Sequence, residues 1–220
     1  MRHHRRLLVV AAIVLAASVA AATIASATPT YATADELPAP ETVLRDRLRD
    51  VDVYGMARLP HTDWEDILEV RAYTTSASLI FVVLTSGELP QASSLLHSGT
   101  LLVLIDLDGD PGHVSFSPYT FGPEPIRRAG YEFALGQNGA MGLWRATSVG
   151  RSISVASPIE HWRDEGLLYL EVSWEDLGGR PAGEIAFFLF TARFVRSTVT
   201  VVMDRAPNGG AAYVPNQSQR

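Results

Sequence analysis

Four carboxylates in this chain are spaced for cation chemistry. Asp106, Asp108 and Asp110 alternate directly after the apolar run Leu101–Ile105, and Gly109, Pro111 and Gly112 force a tight, irregular loop around them. Acids this close repel one another unless a cation or ample water lies between them. A hard ion with oxygen ligands, calcium above all, suits the set. The spacing matches the start of an EF-hand loop, but Pro111 stands at the sixth position and Ser117 at the twelfth, which excludes a true EF-hand. A site inside a sheet protein would need a distant carboxylate, and Glu132, expected on the outward face of a later strand, is the candidate. The competing expectation is a solvated acidic turn whose side chains cap their own backbone.

Aromatic residues are the second group with chemistry to offer, since flat sugar faces pack on rings. Trp144, beside Arg145, and Trp162, in a polar stretch with His161 and Arg163, are the candidate ligand-binding residues. Burial as an ordinary anchor is the competing explanation for both rings. Trp174 continues an alternating inward face and reads as core. Haem is a poor fit: Met56, Met141 and Met203 and His61, His97, His113 and His161 form no distinctive pair, and no covalent attachment motif exists.

Composition removes whole classes of function. The 220 residues include no cysteine, so disulfides and thiolate chemistry are out, and all 18 basic residues are arginine, which excludes Schiff bases and a phosphate-loop lysine. There is no G-x-S-x-G, H-E-x-x-H or phosphate loop, so an enzyme is not expected. The start, MRHHRR followed by apolar Leu7–Ala22 and then Ala25-Ser26-Ala27, reads as a secretory signal over residues 1–27, with an uncleaved membrane anchor as the alternative. The expected location is therefore secreted or in the cell envelope. Loss of Arg2, Arg5 and Arg6 with no acid would move the net charge from −6 to −9, which argues against nucleic acid as a partner.

The elements that must hold these residues read as strands. Residues 28–40 form a Thr/Ala/Pro-rich linker, and residues 41–207, about 170, suit one domain. Glu41–Asp50 predicts a short N-terminal helix. Ile67–Thr74 and Ser78–Thr85 predict a hairpin, and Leu101–Ile105 a central strand. After a long proline-bearing segment, Val114–Gly130, come strands at Tyr131–Leu135, Met141–Thr147, Arg151–Ser157, Leu167–Trp174, Glu184–Ala192 and Ser197–Asp204. Tyr131, Phe133 and Leu135 are expected to share a face, and Pro158–Gly166 to be a polar connection. Residues 208–220 read as a disordered tail. About nine or ten strands without βαβ alternation predict an all-β, antiparallel β-sandwich.

The order of motifs adds a resemblance. IDLDGDPG, then Gly130-Tyr131-Glu132-Phe133, Leu143-Trp144-Arg145, LYLEVSWEDLGG, AFFLF and Asp204-Arg205-Ala206-Pro207 resemble the exported domains related to family 9 carbohydrate-binding modules and the DOMON superfamily. The resemblance covers roughly Asp50 to Pro207. It implies a jelly-roll-like sandwich, calcium in many members, and binding of sugars or haem without catalysis. The expected partner is then an oligosaccharide or cell-surface glycan, and the alternatives are a structural or interaction domain of the cell envelope and a haem-binding electron-transfer domain.

Overall fold

The computed structural model describes residues 37–54, 62–88, 99–110, 131–138, 140–145, 154–157, 159–164, 166–195, 200–207 and 211–215. The expected signal, most of the linker, the Val114–Gly130 segment, Met56, His61, His97 and His113 lie outside them. Two antiparallel sheets face each other. The five-stranded sheet runs β1 (Thr42–Arg45), β3 (Ile67–Thr74), β4 (Ser78–Thr85), β10 (Leu167–Ser173), β9 (Glu160–Asp164). The other runs β2 (Asp52–Tyr54), β12 (Thr200–Ala206), β11 (Ile185–Val195), β5 (Gly99–Asp106), β6 (Phe133–Asn138), β7 (Ala140–Arg145), β8 (Ser154–Ser157), with β13 (Ala212–Val214) pairing the start of β11.

The central strands explain why their sequences are apolar throughout instead of alternating. Leu79, Phe81 and Val83 of β4 enter the core between the sheets, as do Leu101, Val103 and Ile105 of β5 and Ile185, Phe187 and Leu189 of β11. Phe81 meets Phe187 across the gap with ring centroids 5.1 Å apart. The opposite faces of the same strands are buried too. Leu102, Leu104, Phe188, Phe190, Trp144 and Met203 form one outer cluster, and Tyr73, Ile80, Val82 and Tyr169 form another on the five-stranded sheet. A strand buried on both faces reads as a continuous hydrophobic run.

Several expectations need correction. Glu41–Asp50 holds β1 and no helix: Leu44 packs on the core while Val43 and Arg45 face out, and β1 pairs with β3 from Thr42↔Ala72 to Arg45↔Glu69. Inter-sheet burial of a period-two pattern outweighs the weak helical stripe. Pro158–Gly166 contains β9, an edge strand beside β10, and the tail contains β13, so strands continue past Pro207 to Val214. Tyr131 packs in the outer cluster, apart from Phe133 and Leu135, because β6 begins only at Phe133. Met203 is buried in that outer cluster as well.

Two polar locks tie the sheets together. Glu65, in the one-turn 3-10 helix Asp63–Glu65 just before β3, is 0 % exposed and ion-pairs with Arg193 of β11. Its backbone carbonyl accepts from the Thr191 hydroxyl, and its side chain accepts from the Thr62 amide at 2.7 Å. Asp204 of β12 accepts from the Ile67 amide at 2.6 Å, where the β3–β4 register shifts. Gly136 lets β6 approach β5: at φ +137°, a Cβ there would lie 2.3 Å from the Leu101 carbonyl oxygen.

Candidate functional site

The β5–β6 pairing builds an acidic rim. The ladder ends with Ile105↔Phe133, so Asp106 and Glu132, one residue beyond it on each strand, arrive side by side. Asp106, Asp108 and Glu132 each offer an oxygen, and these lie within 4.8 Å of one another. The loop is shaped by its own acids: Asp106 Oδ1 accepts from the amides of Asp108 (3.1 Å) and Gly109 (2.6 Å), and Asp108 Oδ1 accepts from Asp110 (2.8 Å). Gly109 takes φ +69°, which glycine adopts without strain. Asp110 is exposed and stands apart from the three-oxygen group. Glu132 Oε2 accepts from the Leu107 amide at 2.8 Å. Burial pushes the Glu132 carboxyl up to about 7 against that bond, and the charges of Asp106 and Asp108 push in the same direction.

A second carboxylate cluster, which no sequence motif announces, surrounds the Asp204 lock. Asp46, Asp50 and Asp204 each bring an oxygen within 4.8 Å of the others. Burial raises Asp204 to about 7, opposed by the amides of Ile67 and Arg205 and aided by the charges of Asp46 and Asp50. Burial likewise raises Asp46 to about 6. Nearby, buried Asp66 accepts from the amide of Arg49, itself at φ +67°. These acids come from the segment after β1, the residue before β3, and β12, so only the folded chain assembles them.

The three aromatic-site candidates do not form one site. Trp144 is 3 % exposed in the outer cluster of the eight-stranded sheet, which leaves no open ring face for a sugar. Arg145 points to the other side of β7, exposed, with its guanidinium 5.1 Å from the Phe133 ring centroid. Trp162 belongs to the other sheet, where it stacks on Tyr169 at 4.7 Å and 12°. Its Nε1 and the neighbouring Glu171 Oε2 are buried without a hydrogen-bond partner among the described residues. Trp174 is buried in the core, its Nε1 donating to the Thr75 carbonyl. His161 is exposed on β9. Among known proteins, no family model and no curated relative matches this chain.

Proposed function

We propose that this chain is an exported, non-catalytic binding module of the β-sandwich type, with a carbohydrate as its ligand and a structural calcium ion on its acidic rim. The observation that carries the reading is the convergence of Asp106, Asp108 and Glu132 from the adjoining ends of β5 and β6. Three carboxylates are hard oxygen donors, and calcium takes six to eight such ligands, water and backbone carbonyls included. The residues therefore fit the ion. Asp106, Asp108 and Glu132 would hold it, and it would supply the positive charge that lets a half-buried Glu132 stay ionised. It would also tie the acidic loop to the start of β6.

Trp162 supports the carbohydrate part of the reading. Stacking on Tyr169 fixes its ring near one edge of the five-stranded sheet, and a fixed aromatic offers contact at low entropic cost. A glycan array probed with the purified protein tests the reading. Binding that Trp162→Ala abolishes would support it. A blank array from protein with a normal melt would refute the carbohydrate assignment, and a captured envelope protein in its place would favour the interaction-domain alternative.

A further inference from the structure

Alternation along β9 gathers three half-buried side chains, Glu160, Trp162 and Asp164, on the outer face of the five-stranded sheet, and it leaves His161 and Arg163 exposed on the other side. The register against β10 sets Glu160 opposite Glu171 and Trp162 opposite Tyr169. Acids directly opposite one another on a sheet face are destabilising, and a positive group between them removes the conflict. Glu171 is 6 % exposed; its Oε1 accepts from the Ser78 hydroxyl at 2.6 Å, while its Oε2 is buried with no donor among the described residues. On the adjoining strand the Trp162 Nε1 is buried with no acceptor among them. A buried polar atom left unmatched is costly, and two on one face point to a group, brought from outside, that satisfies both. Among the described residues, β9 and β10 place no basic side chain on this face. Arg71, on the same face two strands beyond Tyr169, is held by Glu69 at 2.5 Å.

The unmatched atoms select the ligand. Glu171 Oε2 calls for a donor, and three carboxylates on one face call for positive charge. A bare metal ion does not match, because the indole N–H can only donate. Trp162, stacked on Tyr169 at 4.7 Å and 12°, has one ring face taken and the other turned away from Tyr169, where a flat cation can lie. A guanidinium is flat, always charged, rich in N–H groups and stacks on aromatic rings. The indole N–H then needs an acceptor beside the cation, and the carbonyl of a peptide backbone provides one. Strand β9 is the outermost of its sheet, so an extended segment can approach from its open side. We infer that this face of β9 and β10 binds an arginine side chain of a partner protein, its guanidinium between Glu160 and Glu171 and against Trp162. The site goes beyond the carbohydrate reading, with which it shares the Trp162 ring alone.

The test is nitrogen-15 NMR of the full chain, read at the Trp162 indole N–H, a signal assigned by its loss in Trp162→Phe. The probe is the tripeptide Gly-Arg-Gly capped at both ends, with the same peptide carrying citrulline, the neutral near-isostere of arginine, or lysine as controls. The arginine peptide should shift the indole signal saturably with millimolar affinity, and both controls should bind about tenfold more weakly or not at all. Glu171→Gln keeps an acceptor for Ser78 and should weaken binding by about tenfold. Glu160→Gln should do the same and carries the test if Glu171→Gln does not fold. His161→Ala, on the opposite side of β9, should bind as the wild type does. A silent indole, equal binding of the citrulline or lysine peptide, or a folded glutamine variant that binds as tightly as wild type overturns the assignment. A glycan array positive for a protein whose indole stays silent removes this assignment and leaves the carbohydrate reading. A blank array beside an intact arginine response removes that reading and supports the cation site.

Discussion

Replacing Glu132 with glutamine should stabilise the calcium-free protein above neutral pH and abolish its response to calcium. Glu132 keeps its Leu107 hydrogen bond through either side chain, since a glutamine carbonyl accepts as a carboxylate does. What changes is the charge. Burial, with Asp106 and Asp108 adding to it, moves the carboxyl from 4.5 to about 7, so holding it ionised at about pH 8 costs the native state. At about 1.4 kcal/mol per pH unit, the undiscounted cost is roughly 3 kcal/mol; the residue is half open to solvent, and screening reduces this to about 1–2 kcal/mol. For a domain of this size that corresponds to a rise of about 3–6 °C in the melting midpoint in chelator at about pH 8. At about pH 4 the carboxyl is protonated in the native state and largely so in the unfolded chain, and the gain should nearly vanish. Thermal unfolding followed by circular dichroism at both pH values measures this. A Glu132→Gln protein no more stable than wild type in chelator at the higher pH would refute the account of the rim as a repulsive, cation-seeking cluster.

Other perturbations have equally definite outcomes. In chelator, wild-type stability should fall as pH rises from the ordinary carboxylate range through about 7, because Asp46, Glu132 and Asp204 hold protons in the native state that the unfolded chain has released. Urea titrations across that range check the sign, and Asp204→Asn should flatten part of the slope. Arg193→Ala strands the buried Glu65 carboxylate and should cost about 3–5 kcal/mol, read as a lower denaturation midpoint with an unchanged slope. Gly136→Ala sets a methyl group against the Leu101 carbonyl and should cost several kcal/mol, about the upper end of single-residue effects, or abolish soluble expression.

Legibility in the sequence followed physical locality. The β3–β4 hairpin was readable because Ile67–Thr74 and Ser78–Thr85 are each long, apolar and separated by a short polar turn. The rim was readable because two of its acids alternate at a strand end and the third directly precedes the strand that pairs with it. Strand β9 was not: in Glu160-His161-Trp162-Arg163-Asp164 only Trp162 is apolar, and its strand state comes from backbone pairing to β10 and the stacking of Trp162 on Tyr169. Strand β13 is three residues beside glycines, and the side of β11 left open below Leu189 by β12 selects it. The Asp46–Asp50–Asp204 cluster joins acids more than 150 positions apart, a proximity only the sheet packing creates. For Trp144 the local pattern was ambiguous, because a strand buried on both faces gives no sign of which side is open.

The most direct measurement is the melting midpoint of the purified protein at about pH 8 in excess chelator and then in calcium at about a hundredfold over its dissociation constant. A rim site binding only the native state predicts about 2.7 kcal/mol of added stability, a rise of roughly 5–10 °C, lost in Glu132→Gln. Identical midpoints with and without calcium, or a rise that Glu132→Gln retains in full, would contradict the account.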